Sequence, residues 1–132
     1  QQRGAGRIGI ITSVAVKEPI PGLLLSNAIR PGITGLAKTL SVELAKDQIL
    51  INCFAPGRIK TARIISMDQN NAKRRGVSPE TIEVEAARAI PLGRYGTPEE
   101  FGKMVSFYLS FANTYVTGQT LLMDGGKQGG LL

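Results

Sequence analysis

The sequence contains no histidine, no tryptophan and a single cysteine, Cys53. Without histidine the chain lacks the commonest metal ligand and the commonest general base near neutral pH. One cysteine permits no intrachain disulfide, and with no histidine beside it no zinc site is expected. Cys53 lies within an apolar strand pattern and reads as a small buried hydrophobe, which fits a reducing, cytoplasmic setting. No apolar run approaches the ~18 residues that a membrane-spanning helix needs. The first residues, Gln1-Gln2-Arg3-Gly4, carry no initiating Met. They show no charged region followed by a long apolar core, so no signal peptide is expected, and a fragment or a processed chain fits.

What is present points to a folded chain. Apolar residues make up 42% and charged residues 20%, which argues against disorder. At 132 residues the chain is at most one domain, and it is short for a complete doubly wound nucleotide-binding domain. The net charge is +6, with the basic residues mostly dispersed. Lys73-Arg74-Arg75 is the one tight cluster, and it reads as a solvated helix end. No aromatic platform or DNA-binding motif accompanies it, so nucleic acid is not an expected partner. The surplus positive charge suits an anionic cofactor or substrate.

Arg7–Ser13 is a short β-branched run that reads as a strand buried on both faces, as in a parallel sheet. Pro19, Pro21 and Gly22 mark a loop. From about Leu24 to Ala45 the apolar residues fall at 25, 29, 33, 36, 37, 40 and 44, which is helical spacing. Pro31 removes one hydrogen bond of that helix and belongs in its first two turns or at a kink. Gln48–Ala55 reads as a second buried strand, ended by Pro56-Gly57. Residues 62–90 read as loosely helical, with Ser78 as a helix cap and Pro79 in first position. This polar segment is a candidate substrate lid. Thr97-Pro98-Glu99-Glu100 is the strongest helix start, with Phe101, Met104, Val105, Tyr108 and Leu109 expected inward. Gln119–Met123 reads as a third strand. The glycines at 125, 126, 129 and 130 open no helix, so they read as a turn and a loose terminus rather than a phosphate loop.

The pieces GRIGIITSVA, GLAKTLSVELA, ILINCFAPGRIKT, IPLGRYGTPEEFG and YVTGQTLLMDGG occur in this order. Together they resemble the C-terminal half of a short-chain dehydrogenase/reductase, in the branch of the 3-oxoacyl-carrier-protein reductases. The resemblance covers nearly the whole chain. It implies an α/β fold: the C-terminal half of a Rossmann-like doubly wound parallel sheet, with three strands and flanking helices. Residues 1–132 are then a partial dinucleotide-binding domain whose N-terminal, Gly-rich half is absent. It implies NAD or NADP as cofactor and a small-molecule carbonyl or alcohol as substrate. It also implies a homodimer or homotetramer, to which Gly32, Gly35 and the tail Leu131-Leu132 are suited, although a core role explains them equally well.

The resemblance also places the site. Ser13 matches the family's catalytic Ser, which hydrogen-bonds the substrate oxygen. The family's Tyr-x-x-x-Lys falls on Ser26 and Arg30, so the motif becomes Ser-x-x-x-Arg. Pro56 and Gly57 end the next strand, and the loop positions that meet the nicotinamide amide are Ile59 and Thr61. Asn52 matches a structural Asn. Each residue also has a plainer reading: Ser13 as a strand-end hydroxyl, Ser26 as a helix cap or first-turn residue, and Arg30 as a solvated helix residue. Pro56-Gly57 has a plainer reading as a strand-ending turn. A serine hydroxyl is a far weaker acid than a phenol and needs an adjacent base, while Arg keeps a fixed charge and shuttles no proton. The expected activity is therefore an NAD(P)-dependent oxidoreductase with a divergent catalytic centre. The alternative is a catalytically impaired dinucleotide-binding or assembly subunit.

Overall fold

The computed structural model describes residues 5–130. Gln1–Gly4 and the tail Leu131-Leu132 lie outside the described residues. Three parallel strands stand in the order β1 (Gly6–Ile11), β2 (Ile49–Pro56), β3 (Thr120–Met123). Helix α1 (Leu24–Glu43) connects β1 to β2. Helices α2 (Ala62–Arg75), α3 (Pro79–Arg88) and α4 (Pro98–Leu109) connect β2 to β3. The expected α/β half-sheet with flanking helices is what the chain forms.

Strand alternation divides the core between two faces. On one face Ala37 of α1 packs against Ile51 and Cys53, with Ile10, Leu40, Leu44 and Ile49 around them. Burial pushes the Cys53 thiol pKa up, as suits a core residue. On the other face α4 covers Phe54. That ring meets Phe101 edge-on at 6.4 Å and Tyr108 at 5.4 Å. Gly9 on β1 is required there, because a Cβ would stand 2.9 Å from the Phe54 ring and 3.1 Å from Leu109.

The expectation that β1 is buried on both faces fails. Ile8 is 43% and Ile11 56% exposed. β1 is an edge strand among the described residues, with β2 on one side only. The stripe on α1 is likewise divided: Ala37 and Leu40 reach the core, while Leu25, Ile29 and Leu36 are exposed. A monomer of 14.1 kDa is expected to expose about 6,700 Å². This chain exposes 8,657 Å².

The caps follow the sequence. Ser78 caps α3 ahead of Pro79. Thr97 accepts from the Glu100 amide, and the Glu100 carboxylate accepts from the Thr97 amide, closing a capping box. Arg94 beside Glu100, with the Thr97 amide, pulls the carboxyl pKa down to about 2. Thr97→Ala is expected to lower stability by about 1 kcal/mol, measured as a reduced urea midpoint. Pro31 is accommodated inside α1 at its eighth residue.

Candidate functional site

Parallel strands deliver all their carboxyl ends to one edge, and α1 and α2 both start there. At the end of β1, Ser13 is extended (φ −164°, ψ 156°) and half-buried. Its Oγ accepts from the Ala15 amide at 3.2 Å, capping the short 3₁₀ turn Val14–Val16. A hydroxyl carries one donor besides its lone pairs, so the Ser13 O–H hydrogen stays free to meet a substrate oxygen.

Ser26 is the third residue of α1, a first-turn residue and not its cap, which is Leu23. Of the two plainer readings of Ser26, cap or first-turn residue, the second is the one the helix shows. Arg30 lies one turn further on the same side. Its Nη1 donates to the Ile11 carbonyl at 2.8 Å, so its charge is held at the end of the strand that carries Ser13. The loop before α1 is tied down by Asn27, whose side-chain amide accepts from the Ile20 amide at 3.0 Å and donates to the Ile20 carbonyl at 2.9 Å.

The next strand supplies the second wall. Pro56 ends β2, and the Gly57 amide donates to the Met123 carbonyl at 3.0 Å. A Cβ on Gly57 would stand 2.7 Å from the Asp124 Cβ and 2.8 Å from its Cα. Only glycine lets β3 pass this close. Ile59 forms an isolated bridge with Gly96: the Lys60 amide donates to the Gly96 carbonyl at 2.8 Å and the Gly96 amide to the Arg58 carbonyl at 3.0 Å. The Ile59 amide is left out of this bridge. Thr61 caps α2, with its side chain accepting from the Ile64 amide. Asn52 acts structurally, donating to the Val116 carbonyl and accepting from the Gln119 amide.

Three residues beside this loop were not apparent from motif spacing. Arg58 Nη1 donates to Asp68 Oδ1 at 2.8 Å and to the Tyr95 hydroxyl at 3.0 Å, and Tyr95 donates to Asp68 Oδ2 at 2.8 Å. Asp68 is 5% and Tyr95 6% exposed. Burial, then the bond to Asp68, pushes the Tyr95 phenol up to about 12 against the lowering charge of Arg58. The ordinary phenol value is about 10. The folded chain thus keeps a proton that the unfolded chain releases. That stabilisation is whole below pH 10 and is lost as pH rises toward 12. Urea midpoints are expected to decline over this window, and Tyr95→Phe to remove that part of the decline. A phenol so held is a structural donor, not a substitute for a phenol at position 26.

The arrangement brings Ser13, Arg30 and the Pro56–Thr61 loop to neighbouring strand ends. No hydrogen bond joins Ser13, Ser26 and Thr61 to one another among the described residues. The family model described as Enoyl-(Acyl carrier protein) reductase matches residues 1–128. The chain belongs to the short-chain dehydrogenase/reductase family. Dehydrogenase/reductase SDR family member 4 of Homo sapiens is 36% identical over 128 residues, covering 96% of this chain and 42% of the human protein. The 3-oxoacyl-(acyl-carrier-protein) reductase FabG of Chlamydia trachomatis serovar D is 36% identical over 122 residues, covering 92% of this chain and 45% of that protein. The L-sorbose reductase of Gluconobacter frateurii, solved with NADPH and L-sorbose, superposes with a TM-score of 0.93 at 29% identity, over 98% of this chain and 50% of that one. The chain therefore spans less than half the length of these curated family members. Within the family's fold it forms the C-terminal half of the sheet.

Proposed function

We propose that this short-chain dehydrogenase/reductase segment supplies the substrate and nicotinamide side of an NAD(P)-dependent oxidoreductase site. The substrate is a carbonyl or secondary alcohol, of the kind a 3-oxoacyl reductase uses. The observation that carries this reading is the free Ser13 hydroxyl hydrogen at a strand end where Arg30 is anchored, one strand from the Pro56–Thr61 loop.

The residues fit a nicotinamide cofactor. In this reading the Ile59 amide, left out of the bridge with Gly96, and the Thr61 hydroxyl bind the nicotinamide amide. When bound, the cofactor supplies or receives the hydride. Ser13 donates its O–H to the substrate oxygen and draws charge toward it. Arg30 keeps a positive charge beside that oxygen or holds a ribose, with N–H groups left over from its bond to Ile11. Neither Ser26 nor Arg30 transfers a proton readily, since the chain has no histidine to serve as base. The proton comes through water, or from residues outside this chain. Residues 62–90 serve as the substrate lid. Exposed Leu25, Ile29 and Leu36 on α1 suit a homodimer or homotetramer, tested by light scattering.

The experiment is turnover of NADPH and NADH by the full-length protein over a panel of ketones and 3-oxoacyl thioesters. Ser13→Ala is expected to lower kcat/KM about tenfold, the loss of one hydrogen bond to a charged or charging oxygen. Ser26→Ala is expected to change it little. The second reading is a dinucleotide-binding or assembly subunit without turnover. It is favoured by Ser26, whose hydroxyl makes no hydrogen bond to a base among the described residues. Cofactor binding with no turnover on any substrate would establish it, and failure to bind either dinucleotide would sink both readings.

A further inference from the structure

We propose that Asp68 and Tyr95 are positioning residues for the nicotinamide end of the cofactor, clamping Arg58 so that the Arg58–Thr61 loop and α2 move as one unit. This rests on the oxidoreductase reading above.

The three side chains come from three separate elements. Arg58 follows β2, Asp68 is in α2, and Tyr95 precedes α4. Their hydrogen bonds close a triangle in which both carboxylate oxygens of Asp68 are used. The Tyr95 hydroxyl donates to one partner and accepts from the other. The Arg58 guanidinium also lies over the Tyr95 ring, 5.3 Å from its centre. Main-chain bonds fix the same neighbours, since Arg58 and Lys60 both bond Gly96, the residue after Tyr95. Ile59 is therefore held between two rungs, and Thr61 passes directly into α2 as its cap.

The other ties on this helical pair are of a different kind. Lys60–Glu83 and Arg75–Glu85 are ion pairs with side chains 39% or more exposed. Such pairs contribute little. The Asp68 carboxylate is by contrast 7% exposed and fully paired. Removing the Tyr95 hydroxyl leaves Asp68 Oδ2 buried without its donor. The carboxylate then draws toward solvent or toward Arg58, and either shift displaces both the loop and α2. The loop residues assigned to the cofactor amide are thus set through Arg58 by Asp68 and Tyr95.

The test uses the full-length protein with Tyr95→Phe and Asp68→Asn. NADPH and NADH are titrated by fluorescence, and ADP serves as a probe of the adenine half alone. Dinucleotide affinity is expected to fall about tenfold, the effect of unpairing one charged hydrogen bond, with ADP affinity unchanged. Hydrogen exchange of the ligand-free protein is expected to quicken together in residues 58–61 and 62–75. Equal losses for ADP and dinucleotide would mark a general structural defect and overturn the proposal. So would unchanged dinucleotide affinity, or exchange that quickens in one segment alone or in neither. If the wild type binds no dinucleotide, the oxidoreductase reading fails, and the exchange data still decide whether the clamp exists.

Discussion

The double substitution Ser26→Tyr, Arg30→Lys in the full-length protein is expected to raise kcat by about 10²–10⁴-fold, the usual contribution of a positioned general acid or base. Both positions are half-buried on one side of α1, one turn apart, and the helix start around them is open. The Ser26 hydroxyl makes no hydrogen bond among the described residues, so replacing it breaks none. A phenol there has an ordinary pKa of about 10, and an ammonium one turn away favours its charged form. Lys at position 30 also retains a donor for the Ile11 carbonyl. Ser26→Tyr alone is expected to give a smaller gain, because the planar guanidinium of Arg30 is fixed in direction by its bond to that carbonyl, whereas a compact ammonium can serve both the carbonyl and the phenol. Steady-state kinetics with a saturating ketone checks this. A double variant no faster than the wild type would mean that another group already carries the proton, and the divergent-centre reading would fall.

Phe54→Ala is expected to cost about 3–5 kcal/mol, the range for emptying an aromatic site in a core. Phe54 is 0% exposed. It holds the edges of Phe101 and Tyr108, and Gly9 is small because the ring occupies that space. The loss is a large share of the 5–15 kcal/mol that holds a typical domain. The site should suffer with it. The Phe54 carbonyl accepts from the Thr12 amide at 2.7 Å and from the Thr12 hydroxyl at 3.2 Å. Those bonds set the residue immediately before Ser13. Urea unfolding of the full-length protein reads the effect; a midpoint shifted by less than the equivalent of about 1 kcal/mol would contradict it.

Local chemistry made much of this fold legible. Thr97-Pro98-Glu99-Glu100 and Ser78-Pro79 announced two helix starts because caps act within four residues of the chain. The run Gln48–Ala55 announced β2 because a central strand is apolar on both faces. β1 carried the same β-branched signal, yet Ile8 and Ile11 stand in solvent, since composition reports what a strand is suited to and not which neighbour is present. The strand ends placed Ser13 and the Pro56–Thr61 loop correctly at one edge, as parallel topology requires. The clamp was not legible. Arg58 and Tyr95 are separated by 37 residues, Asp68 lies between them on another element, and only the fold brings the three together. The anchoring of Arg30 on Ile11 was hidden for the same reason, because a backbone carbonyl leaves no trace in the sequence.

The bare flank of β1 has a practical meaning. Among the described residues, the outer side of β1 pairs with no other strand, and it is bordered by the exposed Ile8 and Ile11. Such an edge invites any extended chain to dock, including another copy, and sediment in the tube is its common outcome. No repair of the interior addresses that. The remedy is a strand offered in parallel alongside Gly6–Ile11, fused or co-expressed, which turns a solubility problem into one of complementation.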